Sequence, residues 1–277
     1  MTLDRASGTL DVPLVVIRGA GDVGSAAAYA LFEAEYAVVL QDEPRPSHAR
    51  RGMSFTDAFY DGVATLAGRV GKRARDAADL PPMIRCRRAV AVTDIPIAHV
   101  LDLISPEVLV DARMRKRITP ESQRGLAALV VGLGPNYEAG QNADLVVETG
   151  WGEDLGKVIR VGRSRELAGE PQLIAGHGRD RYVYSSCDGI FATTLRIGDR
   201  VHLGQEVARV GDAPLHAPLS GMLRGLTHAG AIVTVGAKVI EVDPRASAAQ
   251  VYGLGDRPRR IAVGVVDAVD DWRRSGR

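Results

Sequence analysis

The chain carries only two cysteines in 277 residues, and that scarcity closes off several chemistries. Cys86 and Cys187 stand far apart, without CxxC or histidine-paired spacing, which argues against a disulfide framework and a structural zinc site. Aromatic residues make up 5%, so the core must be built from Val, Leu, Ala and Ile. A net charge of +1 offers no electrostatic case for nucleic acid or a membrane surface as the main partner. No apolar run approaches the roughly 18 to 20 residues of a membrane-spanning helix. The opening MTLDRASGTLDVP lacks the basic and apolar regions of a secretory leader, so a cytoplasmic, reducing home is the default expectation. No Ser-His-Asp order, HExxH motif or P-loop occurs, which leaves hydrolase and kinase chemistry without support. The arginine clusters at 85–88 and 113–117 read as solvated loops or helix ends more readily than as phosphate sites.

Glycine, by contrast, is abundant at 31 residues, and much of it is repeated. Gly189, Gly198, Val201, Gly204, Val207 and Val210 recur 32 positions later as Gly221, Gly230, Val233, Gly236, Val239 and Val242. Each copy reads as a turn, a short strand, a glycine turn and alternating valines, with the valines on one strand face. A half this short cannot bury its own apolar face, so the copies should pack together. The pattern resembles the lipoyl/biotinyl-carrier fold, a flattened barrel of two quasi-symmetric halves. Those carriers present a modifiable lysine between the halves, whereas the corresponding Gly211-Asp212-Ala213-Pro214 holds none. The resemblance implies a carrier fold that has lost its swinging arm.

The front of the chain points elsewhere. Val12 to Ile17 is a strand-like apolar run that enters Gly19-Ala20-Gly21-Asp22-Val23-Gly24 and then a small-residue stretch of helical character. This is G-x-G-x-x-G in the context that a nucleotide fold requires. Gly19 permits the tight turn, Gly21 lets a pyrophosphate approach, and Gly24 lets helix and strand pack closely. The N–H groups opening the helix would hold the phosphates. A second strand, Tyr36 to Leu40, ends near Asp42 and Glu43, where a carboxylate could accept from ribose hydroxyls. Asp22 is unusual within the motif, because a carboxylate there competes with phosphate for the same donors. The bland alternative is a glycine turn that binds nothing. Further on, Ser54 to Tyr60 and Ile97 to Ile104 read as helices, and Val108 to Asp111 as a buried strand. Strands alternating with helices argue for a mostly parallel sheet.

In the middle, Leu126 to Val131 discharges into Gly132-Leu133-Gly134-Pro135-Asn136, and a strand from Asp144 follows. Gly132, Gly134 and Asn136 could form a backbone cradle for a polar ligand, with plain turn chemistry as the competing reading. His177, between two glycines, reads as a solvent-facing loop histidine before it reads as a ligand.

Taken together, VVIRGAGDVGSA, RRGMSFTDAFYDG, VLVDARM, VVGLGPNYEAGQNADLVVETGWGEDLGKVI and APLSGMLRGL resemble the YqeB-type proteins. These are accessory proteins of selenium-dependent molybdenum hydroxylase systems. The resemblance implies a partner role in maturing a molybdopterin hydroxylase of the xanthine-dehydrogenase type, with or without selenium. It carries over no catalytic residue.

The resulting expectation is an α/β Rossmann-like nucleotide-binding domain (1–125) and a β-rich connecting segment (126–178). A duplicated lipoyl/biotinyl-like (barrel-sandwich hybrid) β-unit (179–247) follows, then a C-terminal helix packing back (248–277). The expected ligand is a nucleotide, a dinucleotide such as NAD(P), or a molybdopterin nucleotide, and the expected partner is a client molybdenum hydroxylase. An NAD(P)-dependent oxidoreductase and a non-catalytic interaction module are the alternatives. Exposed strand edges make self-association reasonable.

Overall fold

A computed structural model of the chain describes residues 12–115, 118–167 and 171–276. Lys116 and Arg117 of the second arginine cluster, and the opening stretch 1–11, lie outside the described residues.

The front strands are β1 (Leu14–Arg18), β2 (Ala37–Gln41), β3 (Val63–Leu66), β4 (Arg69–Arg73), β5 (Val90–Thr93), β6 (Val108–Asp111) and β7 (Leu129–Leu133). Four short ones follow: β8 (Glu138–Ala139), β9 (Leu145–Val147), β10 (Val158–Ile159) and β11 (Gly162–Arg163). Nine of them form one sheet in the order β10-β9-β7-β6-β1-β2-β5-β4-β3, while β8 and β11 pair by themselves. Pairing is parallel from β9 across to β4 and antiparallel at both edges.

The central strands are apolar up to their carboxyl ends, where Arg18, Gln41, Thr93 and Asp111 stand, because both faces are covered. On one face Val15, Ile17, Val38, Val108, Val110 and Val131 pack with α1 (Asp22–Glu33) and the C-terminal helix. On the other, Val16, Val39, Leu109 and Val130 meet Leu80 and Ile84 of α3 (Leu80–Cys86) and Val100 and Ile104 of α4 (Ile97–Ile104). The remaining helix, α2 (Ala58–Asp61), is a single turn before β3.

The link from β6 to β7 contains no helix among its described residues. The open face is covered instead by α5 (Asp256–Arg274), which brings Ile261, Val265, Ala268 and Val269 against α1 and β7. Gly264 makes this possible. A Cβ there would lie 1.9 Å from the Gly156 carbonyl oxygen, so a residue that weakens an isolated helix is what allows the helix and the 151–157 loop to touch.

The rear strands are β12 (Tyr182–Tyr184), β13 (Gly189–Ala192), β14 (Arg200–Val201), β15 (Glu206–Val210), β16 (Ala213–His216), β17 (Gly221–Leu226), β18 (Ile232–Val233) and β19 (Lys238–Asp243). They form two four-stranded antiparallel sheets, β12-β19-β17-β14 and β16-β15-β13-β18. Phe191, Val207, Val210, Leu223, Val233 and Val242 share one apolar core. The copies hold one another's turns: Asp188 Oδ1 accepts from Val235 N–H at 2.7 Å, and Ser220 Oγ accepts from Leu203 N–H at 3.0 Å.

The expected architecture therefore needs correction. The molecule is a mixed sheet with several small sheets, not a Rossmann-like domain followed by a separate β-rich segment and a barrel-sandwich unit. Strand β7 pairs in register with β6 (Val108 with Leu129), and β9 pairs with β7 (Val131 with Leu145). Their Gly-rich turns read as a separate segment although their hydrogen bonds belong to the first sheet. The edge hairpins make that sheet mixed, and the rear unit resolves into two small sheets. Among the described residues, no helix is long and apolar enough to cross a membrane.

Candidate functional site

Open α/β sheets gather ligands at the carboxyl ends of their strands, and the first glycine turn lies there. Gly19 has φ +101°, and a Cβ would lie 2.8 Å from the Ala112 carbonyl oxygen. Gly24 sits so close to the turn that a Cβ would fall 1.8 Å from the Gly19 oxygen. Both glycines are thus required by backbone approach alone.

The turn is occupied on one side by the protein's own groups. Ala20 N–H donates to Asp42 Oδ2 at 2.6 Å, and His48 Nε2 meets the same oxygen at 2.7 Å. Burial opposes the charge of Asp42, yet His48 and the Ala20 and Glu43 amides hold its carboxyl below the usual range. Burial opposes the His48 cation too, but Asp42 raises it above the ordinary histidine value. The imidazole lies over Gly21, whose Cβ would come within 3.4 Å of Nδ1. Asp42 is therefore committed to Ala20 and His48, while Glu43 is exposed and gives its own N–H to Asp42 Oδ1 at 2.8 Å. Val23 N–H is taken by Asp22 Oδ1 at 3.1 Å. The N–H groups of Gly21, Asp22 and Gly24 take no described partner.

Next to the turn lies an ion network invisible in the motif. Asp22 Oδ2 accepts from Arg50 at 2.8 Å, and Arg50 reaches on to Glu241 of β19, Nε to Oε2 at 2.9 Å. Glu241 is fully buried, yet Arg181 donates to its Oε1, Lys238 Nζ lies 2.8 Å from its Oε2, and Arg224 Nε stands 3.7 Å away. Burial works against this carboxylate, but Arg50 and Lys238 hold it well below the ordinary range. Asp22 is depressed likewise, against burial, by Arg50, Lys238 and Arg257.

Three local features place these groups. A bulge in β17 between Leu223 and Gly225 makes Arg224 the extra residue, a device that re-aims a side chain. Gly225 lets Glu241 and the 47–51 loop close in, since a Cβ there would meet Glu241 Cβ at 2.8 Å and Ala49 Cβ at 3.4 Å. The loop is stitched to β17 by Leu226 N–H to Ala49 O at 2.7 Å and Arg51 Nε to Leu226 O at 2.7 Å. The network is thus a seam between the front sheet and the rear unit.

A signal for the seam was present in the duplication. Lys238 and Glu241 correspond to Glu206 and Arg209 in the first copy, the same pair with charges reversed. The first pair lies exposed on the surface at 2.9 Å, whereas the second is turned into the seam.

The middle turn serves its own backbone. Gly132 leaves room for the Tyr137 ring, which a Cβ would approach to 2.2 Å. Gly134 (φ +118°) gives its carbonyl to Ser164 Oγ at 2.7 Å. Asn136 adopts φ +70° and offers its carbonyl to Asn142 Nδ2 at 3.0 Å. Nearby, buried Asp111 is bound by Arg113 Nε at 2.9 Å and by Gln123. Despite burial, Arg113 and Tyr137 lower its carboxyl to about 2. His177 is a loop residue whose Nδ1 meets Asp180 at 2.5 Å.

No family model matches the chain. Across 256 residues it is 34% identical to the uncharacterized protein YqeB of Escherichia coli (strain K12), covering 92% of this chain and 47% of that protein. The likeness to YqeB-type proteins is thus supported, and the chain spans about half the length of the curated relative it matches. Among solved structures it is similar to the ectoine utilization protein EutE (DoeB) from Ruegeria pomeroyi, at 12% identity and a TM-score of 0.23, with 83% of this chain and 85% of that one covered. A succinylglutamate desuccinylase/aspartoacylase from Rhodobacter sphaeroides matches at 13% identity and a TM-score of 0.23, covering 83% and 85%. At such TM-scores these likenesses carry no argument about chemistry.

Proposed function

We propose that this YqeB-like chain is a cytoplasmic accessory protein in the maturation of a molybdopterin-dependent hydroxylase of the xanthine-dehydrogenase type. In this reading it holds a nucleotide or pterin nucleotide by its phosphates at the start of α1. One observation carries the ligand part: the N–H groups of Gly21, Asp22 and Gly24 take no described partner while the helix dipole adds to their pull on an anion. The molybdenum part is supported by the YqeB-type motifs. Holding is favoured over turnover because Asp22, Asp42, Asp111 and Glu241 are all kept ionised by close partners, whereas a general acid or base works best with a pKa near the operating pH. The oxidoreductase alternative loses one of its two ribose acceptors, since Asp42 is already engaged by Ala20 and His48 while Glu43 stays exposed.

Two measurements test this. Purified protein is incubated with NADH, NADPH, CTP, ATP or molybdopterin-containing extract, and what stays bound is read by mass spectrometry. A nucleotide or pterin nucleotide is expected in the wild type and absent from Gly21→Val, in which the added side chain closes the approach beside His48. Co-purification with a tagged molybdenum hydroxylase from the same cells is also expected. Absence of both retention and co-purification would refute the proposal.

A further inference from the structure

The seam holds more positive charge than its own carboxylates neutralise. Arg50, Arg181, Arg224, Lys238, Arg245 and Arg257 face Asp22, Glu148, Glu241 and Asp243, which leaves two positive charges in surplus. Partly buried charge is costly unless paired, so a surplus at the rim of the seam favours binding of an anion. Several donors are also spare. The Nε atoms of Arg181, whose side chain is 3% exposed, and of Arg224 are buried without a hydrogen-bond partner.

The surplus is not spread evenly. Glu241 is sealed at the bottom, whereas Asp22, Arg50 and Lys238 keep 23%, 23% and 29% of their side-chain surface and form the solvent-facing side. Arg257 stands close enough to Asp22 and Arg50 to feel both charges. It has one hydrogen bond described, Nε to the Thr149 carbonyl at 2.7 Å. Asp22 hydrogen-bonds only one of these three cations, Arg50. Burial first, and then repulsion from Arg50, push the Lys238 ammonium down to about 8 despite Glu241 and Asp22. The unpartnered amides of Gly21 and Asp22 stand at the start of α1, beside the Asp22 carboxylate.

We infer that the mouth of this seam, formed by Arg50, Lys238 and Arg257 around Asp22, is a binding site for a phosphoryl dianion. Two surplus charges match a phosphate monoester or inorganic phosphate, and the donors are of the kind that grip phosphate oxygens. The inference deepens the reading given above and rests on it in one respect: a nucleotide's phosphate would reach both the turn amides and the seam cations. Asp22 stands at the centre as a resident carboxylate that a stronger anion would crowd or displace.

The full chain is titrated calorimetrically with inorganic phosphate, CMP and cytidine, and with sodium chloride at matched ionic strength to separate binding from screening. Phosphate and CMP are expected to bind and to compete, and cytidine and chloride to give no saturable signal. Lys238→Gln and Arg257→Gln should each weaken phosphate by about tenfold, the scale of one lost charge-assisted contact. Circular dichroism melts check that both variants fold. Binding of phosphate to the wild type with loss in the variants, but no nucleotide retained, would leave the seam standing and sink the nucleotide reading. Absence of phosphate binding to the wild type, or variant affinities within about twofold of it, would overturn the seam inference even if nucleotides are retained.

Discussion

Replacing Glu241 by Gln tests whether the seam is held together by this one carboxylate. The side chain is fully buried, and it is the shared acceptor of Arg50 at 2.9 Å, Lys238 at 2.8 Å and Arg181, with Arg224 at 3.7 Å. Glutamine keeps the shape but removes the charge and turns an NH2 group toward cations. Each contact in isolation would be worth several kcal/mol, most of it already offset by desolvation and by repulsion among the cations. Breaking a buried ion pair by removing one partner costs about 3–5 kcal/mol. At roughly 2–4 °C per kcal/mol for a domain of this size, Tm should fall by about 6–20 °C. Urea denaturation read by circular dichroism gives the free-energy difference directly. The pH dependence supplies a second check. The folded pKa of Glu241 is depressed, so its contribution is complete above the ordinary carboxylate value of 4.5 and is lost as pH falls through the folded value. The gap between wild type and variant should therefore be full at neutral pH and shrink in acid. A loss under about 1 kcal/mol, or a gap that widens in acid, would refute the reasoning.

Gly264→Ala should destabilise by about 1–3 kcal/mol through overpacking, although alanine favours an isolated helix, because its Cβ would sit 1.9 Å from the Gly156 oxygen. An unchanged urea midpoint would show that α5 does not bind the loop this closely. Asp42→Asn should lower the His48 pKa from above 6.5 to below it, since burial then acts on the imidazole without its carboxylate partner. NMR titration of the ring reads this. The stability conferred by the pair, present below pH 6.5 and lost as pH rises through the raised folded value, should vanish with it. An unshifted His48 would mean that Asp42 is not its partner.

Local order was legible in the sequence where side chains report their own surroundings. The runs LVVIR, AVVLQ and VLVD became buried parallel strands, and Ile97–Ile104 became a helix over those residues. Alternating valines marked both rear copies. Which strands share a sheet was not legible, because Leu129–Leu133 and Leu145–Val147 are equally apolar whether they extend the first sheet or form one of their own. The seam was hidden for a different reason. Arg50, Arg181, Arg224 and Glu241 come from distant parts of the chain, and each alone resembles a solvated charge. Asp42 was read as free for a ribose because no pattern reveals that the Ala20 amide lies 2.6 Å away.

The way α5 completes the first layer has a consequence for biogenesis. Ile17 and Val110 leave the ribosome well before the residues that shield them, Ile261 to Val269. At roughly 5–20 residues per second, the nascent sheet would stay half-bare for on the order of ten seconds or more. A premature stop before residue 256 would release a chain with a greasy, unshielded flank, so quality control should clear such fragments faster than it clears the finished protein.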